Sequence, residues 1–576
     1  ENSKDWDTTK NVFIEGDNLE VLKILQKHYH AKVKMIYIDP PYNTGKDFVY
    51  PDNYKEGLET YLEWTRQVNE EGKKLSTNAD TEGRYHSNWL NMMYPRLKLA
   101  RNLLTQDGVI FLSIDDHEYD NLKKLCNEVF GESNYLNTFV WVSNLKGRQI
   151  AASGAAGTKE YVLCYARQGD DAGGFIGSGA KLKKLMPSIY KGLSYKAEHD
   201  ERGAYVLKNE LYNTNSAFNE VTRPNLVFDI YYNTETGDVK TADVSTAHVY
   251  DGYVKIAPKQ NNNGTNKYHA FRWSRRKVES ESHDLAFIEG ASGWKVYTKV
   301  RDVDGATVKD LVMDITTNEG SADIKAIGLD PKWFDYPKPV NLVKLLVDVA
   351  ADKESIVLDF FAGSGTTAHA VMSLNAEDGG NRKFVQVQLP EPLLEGHPAR
   401  KVGHDSIADI SVSRIRAAGS RLQRESSSRL SGGHDLDFGV RTYRLADTNF
   451  TKWKQSSEVD LNQLEQHLLD LRDSSSADDA SADDLLTEVL LKQGYSLTEQ
   501  IAPIDVAGLN LRSVGDGIVL AYLNEHVKPT LEQLRAVVDA DPARLVVLED
   551  AFQGDDQLKT NLAQLCKSKG IELWTA

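Results

Sequence analysis

The tetrapeptide Asp39-Pro40-Pro41-Tyr42 combines a carboxylate, two rigid carbonyl-bearing residues and a flat ring. Consecutive prolines fix φ near −65° and remove two N–H donors, so the backbone is stiff and offers acceptors only. A carboxylate and a proline carbonyl held together accept both hydrogens of an exocyclic amine, while the Tyr42 ring stacks on a planar base. The lone pair of such an amine is delocalised and a poor nucleophile. Two acceptors on its hydrogens draw the nitrogen towards a tetrahedral form that can attack. The purely structural alternative is a proline turn that ends a strand, but DPPY is too rare a combination for that to be the better reading.

A second constellation, Leu358-Asp359-Phe360-Phe361-Ala362-Gly363-Ser364-Gly365-Thr366-Thr367, reads as a strand entering a glycine turn that opens a helix. The glycines allow close backbone approach by a nucleotide-like ligand, and the helix start supplies free N–H groups. No GK[ST] occurs, which argues against an ATP-driven motor, and the spacing is not that of a dinucleotide-binding GxGxxG.

Both motifs need strands to hold them. Val33 to Ile38 and Val109 to Ile114 are short apolar runs that predict buried parallel strands. Between them Leu90, Met93, Leu97, Ala100 and Leu104 follow helical spacing up to Gly108. Asp115 is expected to cap the next helix, which carries Leu122, Cys126 and Phe130 and stops at Gly131. The pattern returns near Asn341, with a helical stripe of Leu342, Leu345, Leu346 and Val349, then strands over Ile356 to Phe361 and Phe384 to Leu389. An α/β, doubly wound, mostly parallel sheet built from two sequence blocks is predicted. The expected divisions are 1–167 (first block), 168–330 (a loop-rich insertion), 331–424 (second block), 425–484 (linking segments) and 485–576 (a small C-terminal α/β domain). Ser426 to Gly433 and the acidic Asp473 to Asp484 read as linkers.

The 576 residues carry 68 Lys plus Arg against 84 Asp plus Glu, a formal net charge of −16, which argues against indiscriminate nucleic-acid binding. Local patches must therefore serve any such contact. Lys255, Lys259, Lys267, Arg272, Arg275, Arg276 and Lys277 form a run without acids, interleaved with Tyr268, Phe271, Trp273 and Asn261-Asn262-Asn263. Asn and Arg read adenine and guanine edges, and lysines suit phosphates, so double-stranded DNA recognition is placed here rather than a merely solvated loop. Residues 172–196 repeat the basic pattern with five lysines. Three scattered cysteines, Cys126, Cys164 and Cys566, offer neither a disulfide framework nor a zinc site. A metal-free, soluble, cytoplasmic protein with no membrane span is expected.

Taken together the motifs resemble the S-adenosylmethionine-dependent amino-methyltransferases, with FFAGSG as the cofactor loop and DPPY as the catalytic tetrapeptide. The catalytic motif precedes the cofactor loop, which resembles the circularly permuted β group of DNA methyltransferases. GDNLEVLK (Gly16 to Lys23), IDPPYNTG, SIDD (Ser113 to Asp116), YPKPVNLV (Tyr336 to Val343) and TYRLADTNF (Thr442 to Phe450) look like the Mod subunits of type III restriction-modification systems. The resemblance implies base contacts from Asp39, Pro40, Pro41 and Tyr42. It implies S-adenosyl-L-methionine contacts from Asp17, Lys338, Pro339, Asn341, Asp359, Phe360, Phe361, Gly363, Gly365 and Thr366. For the ribose it leaves a choice between Gln388 and Glu391, because no carboxylate ends the strand. For Asp17 a helix N-cap, and for Lys338 a surface lysine, are the structural alternatives. The implied activity is adenine-N6 methylation of a flipped-out base, with cytosine N4 or RNA as the runner-up substrate. A recognition scaffold for a helicase-nuclease restriction subunit is the rival reading, and a homodimer is expected.

Overall fold

The structure is a computed structural model that describes residues 2–44, 85–145, 155–190, 198–245, 247, 249–291, 293–301, 305–427, 436–448 and 481–575. Gly45, Lys191, Lys196, Asn449, Phe450 and most of 425–484 lie outside the described residues. The chain divides into two units, Glu1–Phe175 with Val308–Ala576, and Ile176–Thr307.

In the first unit the strands β1 (Val12–Glu15), β2 (Val33–Ile38), β3 (Leu104–Ile114), β4 (Tyr135–Val142), β5 (Lys159–Ala166), β6 (Leu311–Val312), β7 (Ile356–Asp359), β8 (Lys383–Gln388) and β9 (Arg441–Arg444) form one sheet. Its order is β6-β4-β5-β3-β2-β7-β8-β1-β9. Only β5 runs antiparallel to its neighbours among the described strands. A strand from the second sequence block, β7, thus sits beside β2 from the first. Leu358 pairs with Ile36 and Val357 with Met35.

The helices are α1 (Asn18–Tyr29), α2 (Tyr85–Leu103), α3 (Tyr119–Phe130), α4 (Thr317–Ala326), α5 (Val340–Ala350), α6 (Thr366–Asp378) and α7 (Ile407–Ser427). Side chains alternate across a strand, so Ile36 and Ile38 of β2, Ile110 and Leu112 of β3, and Val385 and Val387 of β8 face one way. They join Leu22, Leu25, Trp89, Leu97 and Cys126 from α1 to α3 in one core. The other face carries α5 against β2, and α6 and α7 against β8. Each fully buried side chain of the Leu or Ile kind contributes about 1.5–3 kcal/mol, so the two blocks are held as one sheet from both faces.

The chain leaves β2 towards β3 and leaves β7 towards β8, which opens a crevice between the carboxyl ends of β2 and β7. Open α/β sheets bind ligands at such a reversal of strand order.

Boundaries differ from the sequence expectations in several places: β7 ends at Asp359 rather than Phe361, β8 runs over Lys383–Gln388 rather than Phe384–Leu389, and the second unit spans Ile176–Thr307 rather than 168–330. α2 passes directly into β3 at Leu104, because apolar Leu103 and Leu104 are both fully buried. Asp115 caps a turn, accepting from the His117 amide at 3.0 Å, and α3 starts later, at Tyr119. Asp483 and Asp484 occupy the first turn of a helix, Ala482–Gln493, where acidic side chains complement the helix dipole, so this end of the acidic segment is not a linker. Beyond it Ile501–Val506, Leu509–Val514, Val519–Tyr522, Arg544–Val547 and Glu572–Thr575 make a mixed five-stranded sheet with its own core.

The second unit is richer in strands than its glycine and asparagine content suggests. Leu285–Gly290, Gly293–Val300, Gly203–Glu210 and Glu198–Asp200 form one antiparallel sheet, and Val239–Ala242, Asp229–Asn233 and Tyr253–Ile256 another. Phe228, Ile230, Phe271, Val278 and Val296 are among the residues of its core.

Candidate active site

Asp39 follows the last residue of β2, and its neighbours are anchored from behind. Trp89 on α2, fully buried, donates its indole N–H to the Pro41 carbonyl at 2.7 Å. Asn43 has φ +59° and is buried, and its amide donates to Glu118, a fully buried carboxylate that also accepts from Asn121 at 2.7 Å and meets His86 at 2.7 Å. An unpaired carboxylate would be costly at that depth, so these donors fix Glu118 and, through Asn43, the end of the tetrapeptide. Trp89 thus engages the Pro41 oxygen, one residue beyond Pro40.

In front of the tetrapeptide lies a charged cluster. Lys338 Nζ is 2.9 Å from Asp39 Oδ1 and 3.6 Å from Glu160 Oε2, and it sits 4.8 Å from the centre of the Tyr42 ring. The Tyr42 hydroxyl donates to Glu160 at 2.9 Å. Burial pushes the Asp39 carboxyl up from its ordinary value against the pull of Lys338, and the nearby Glu160 charge adds to the rise. Burial works to lower the Lys338 ammonium, yet the two carboxylates outweigh it and hold it above its usual range. The Tyr42 phenol is driven well up by burial and by both carboxylates, so it stays protonated and can donate. Glu160 was not legible as a site residue. It comes from β5, the strand that runs antiparallel among the described strands of this sheet, which nothing in the sequence pattern brings to the end of β2.

The second motif lies across the crevice. Asp359 is 2% exposed, and its carboxylate accepts from the Phe361 amide at 3.0 Å, Thr367 Oγ1 at 2.6 Å and Gln386 Nε2 at 3.2 Å. Burial nevertheless raises it to about 7. Phe360 is fully buried in the core, since it continues the inward alternation of Leu358, and its carbonyl accepts from Asn18 at 2.7 Å. Gly363 and Gly365 have φ +52° and +79°, the left-handed region that side chains disfavour. A Cβ at Gly365 would also stand 3.1 Å from the Ser411 carbonyl oxygen, and one at Gly363 would stand 3.3 Å from the Phe334 ring. The glycines therefore serve the turn itself as well as any ligand. Gly365 is the N-cap of α6 and offers it no side-chain cap.

Other residues singled out in the sequence take specific places. Asp17 is the N-cap of α1, accepting from Leu19 N at 2.9 Å and Glu20 N at 3.2 Å, and its second oxygen faces Arg96 Nη2 at 3.3 Å. Pro339 caps α5, and Asn341 donates to Glu319 at 3.1 Å. Gln388 uses its side-chain oxygen to accept the Gly363 amide at 2.6 Å and its amide to donate to the Leu389 carbonyl at 3.2 Å. Its oxygen thus holds the glycine turn, while its amide serves its own chain neighbour. Arg414, fully buried, donates to Ser364 and Thr366, and sequence reading missed it because it stands 48 residues after Thr366 in an ordinary amphipathic helix. A cavity of about 560 Å³ opens at the carboxyl ends of β1, β8 and β9, lined in part by Glu15, Pro390, Pro392, Asp409 and Arg444, away from the tetrapeptide.

In the second unit the basic run is partly neutralised by acids that lie outside it in the sequence. Lys255 pairs with Asp229 at 2.8 Å, Lys259 lies 3.8 Å from Glu210, Arg275 pairs with Asp243, and Lys277 lies 3.6 Å from Glu281. Arg272 donates to the Tyr212 carbonyl at 3.3 Å, and Lys267 lies over the Tyr268 ring at 5.1 Å. Arg276, exposed, makes no ion pair among the described residues. Asn263 accepts from the amides of Thr265 and Asn266, so this part of the asparagine run builds a turn.

An acceptor-lined, aromatic-walled crevice facing a glycine turn suits transfer to an amine, and the comparison with known proteins fits that chemistry. Residues 33–385 match a family described as DNA methylase, of N6 and N4 specificity. The chain belongs to this DNA methylase family. It is 32% identical to the Mod subunit of the EcoPI type III restriction-modification enzyme of Escherichia phage P1, over 98% of this chain and 85% of the relative. The EcoP15I Mod subunit of Escherichia coli is 30% identical with the same coverage. Among solved structures, the PvuII cytosine-N4-specific DNA methyltransferase aligns at 12% identity and a TM-score of 0.28, covering 71% of this chain and 94% of that one. The methylase acts on DNA, and no helix among its described residues is long and apolar enough to cross a membrane.

Proposed function

We propose that this DNA methylase transfers a methyl group from S-adenosyl-L-methionine to N6 of a flipped-out adenine, as the modification subunit of a type III restriction-modification system. The observation that carries the reading is Asp39 directly after the end of β2, followed by Pro40 and gathered with the Tyr42 ring around Lys338. Asp39 and Pro40 accept the two amine hydrogens, and Tyr42 holds the base. The nitrogen lone pair forms the new N–C bond as the S–C bond breaks with its electrons staying on sulfur, and one amine proton leaves towards the Asp39 side.

When bound, S-adenosyl-L-methionine supplies a methyl group on a sulfonium, which a neutral amine can attack. The glycine turn and the start of α6 fit that ligand, because glycines without a Cβ allow close approach and a helix start with no side-chain cap supplies N–H groups, whereas the Phe361 and Gly363 amides are already held by Asp359 and Gln388. Asp39 and its neighbours provide orientation and negative charge, and the proposed transfer needs no covalent enzyme intermediate.

The likeness to Mod subunits of restriction-modification enzymes over nearly the whole chain supports a restriction-subunit partner, and a homodimer is a further part of the proposal. Incubation with DNA and methyl-labelled cofactor, followed by digestion to nucleosides, tests the chemistry. Label in N6-methyladenine is expected, and label in N4-methylcytosine or none would overturn it. Light scattering of the purified chain tests the dimer.

A further inference from the structure

Lys338 pairs with the carboxylate of the tetrapeptide on its buried oxygen. Its ammonium lies 2.9 Å from Asp39 Oδ1, and its backbone is pinned between Pro337 and Pro339, with its carbonyl accepting from Thr366 Oγ1 at 3.3 Å. Beyond that backbone the side chain reaches both carboxylates. Glu160 Oε2 stands less than 1 Å farther off than Asp39 does. The Tyr42 ring at 4.8 Å and the Trp141 ring at 6.0 Å flank the ammonium, and Trp141 is itself fixed by donating to the Ile315 carbonyl at 2.7 Å. Aromatic faces hold a cation without fixing which carboxylate it bonds.

Among the described residues two carboxylates share one ammonium here, so its single charge cannot neutralise both. The neutral target amine brings N–H donors and no charge, and it therefore fits the carboxylate that Lys338 has left. Nitrogen gains positive charge as the methyl group arrives, and an Asp39 not neutralised by Lys338 stabilises that charge better than a paired one. We infer that Glu160 is a positioning residue that takes the Lys338 ammonium off Asp39 when the target amine enters, leaving Asp39 fully charged for the transfer. The inference rests on the reading of Asp39 as the amine acceptor.

Glu160→Gln keeps an acceptor for the Tyr42 hydroxyl but removes the second anion, so Lys338 should stay on Asp39. At saturating cofactor, single-turnover methylation should fall about tenfold or more while DNA affinity is unchanged. Glu160→Asp, which keeps the charge, should retain more of the rate. Adding Lys338→Gln to Glu160→Gln should raise the rate above that of Glu160→Gln alone, because the competing ammonium is gone. A wild-type rate in Glu160→Gln, a slower Glu160→Asp than Glu160→Gln, or a double variant no faster than Glu160→Gln would each overturn the inference. Asp39→Ala run in parallel separates the two levels. If it stays active, the acceptor reading itself fails and takes the inference with it, whereas an inactive Asp39→Ala beside an unaffected Glu160→Gln sinks the Glu160 role alone.

Discussion

Arg414 Nη1 donates to Thr366 Oγ1 at 2.8 Å, which ties α7 to the first residue of α6, and the same nitrogen reaches Ser364 Oγ at 2.6 Å. Burial holds the guanidinium down to about 10, still cationic at neutral pH. Arg414→Leu should leave both hydroxyls without this donor, at a cost of about 1–3 kcal/mol, and loosen the turn. Cofactor affinity measured by calorimetry should fall, with Arg414→Lys intermediate. Equal affinity in Arg414→Leu would show that the turn holds its shape without it.

Asp359 gives a pH signature. Its folded value of about 7 lies above that of an unfolded aspartate, so the folded chain keeps a proton that the unfolded chain has released. The stability associated with this group is complete below about pH 4 and is lost as pH rises to about 7, at roughly 1.4 kcal/mol per pH unit between those limits. Asp359→Asn cannot titrate, and Gln386 can turn its unpartnered oxygen to the new amide. Melting temperatures of the variant relative to wild type should therefore improve from pH 5 to pH 8. A constant difference across that range would refute the elevated value.

The sequence made the two motifs and their strands legible because both lie in short apolar runs that end in residues of special backbone chemistry. Asp39 follows β2, and the Gly363 turn follows β7, as the periodicity predicts. What it could not supply were partners set by tertiary pairing. Glu160 arrives on β5 and Arg414 on α7, and each is an unremarkable charge in its own segment. Phe360 was read towards the ligand, yet strand alternation carries its ring into the core beside α1 to α3. In the second unit the acids that pair with Lys255, Lys259 and Arg275 come from Asp229, Glu210 and Asp243, outside the basic run, so a count along the sequence overstated its free charge.

This pairing ranks the arginines. Arg275 already has Asp243 as partner, whereas Arg276 next to it is exposed with no ion pair among the described residues. If the run meets DNA, Arg276→Ala should weaken binding more than Arg275→Ala, and should reduce the salt slope by about 1 if it meets a phosphate. Affinities over a range of salt concentrations give both quantities. Wild-type affinity and slope in Arg276→Ala would remove this residue from the interface.

Asp39 and Tyr42 should separate chemistry from capture of the base. Asp39→Ala removes the acceptor needed as the amine nitrogen turns tetrahedral, and methylation should fall by about 10² or more while DNA binding, set by phosphate and groove contacts elsewhere, persists. Tyr42→Ala removes a stacking face worth about 1–3 kcal/mol per base and also the cation–π partner of Lys338, so a fluorescent base analogue at the target position should report poorer retention. Tyr42→Phe keeps the ring and loses only the hydroxyl bond to Glu160, so its retention should match wild type. Its rate should fall less than that of Tyr42→Ala. Full methylation by Asp39→Ala, or equal loss of retention in the phenylalanine and alanine variants at 42, would rule out the division of labour within the tetrapeptide.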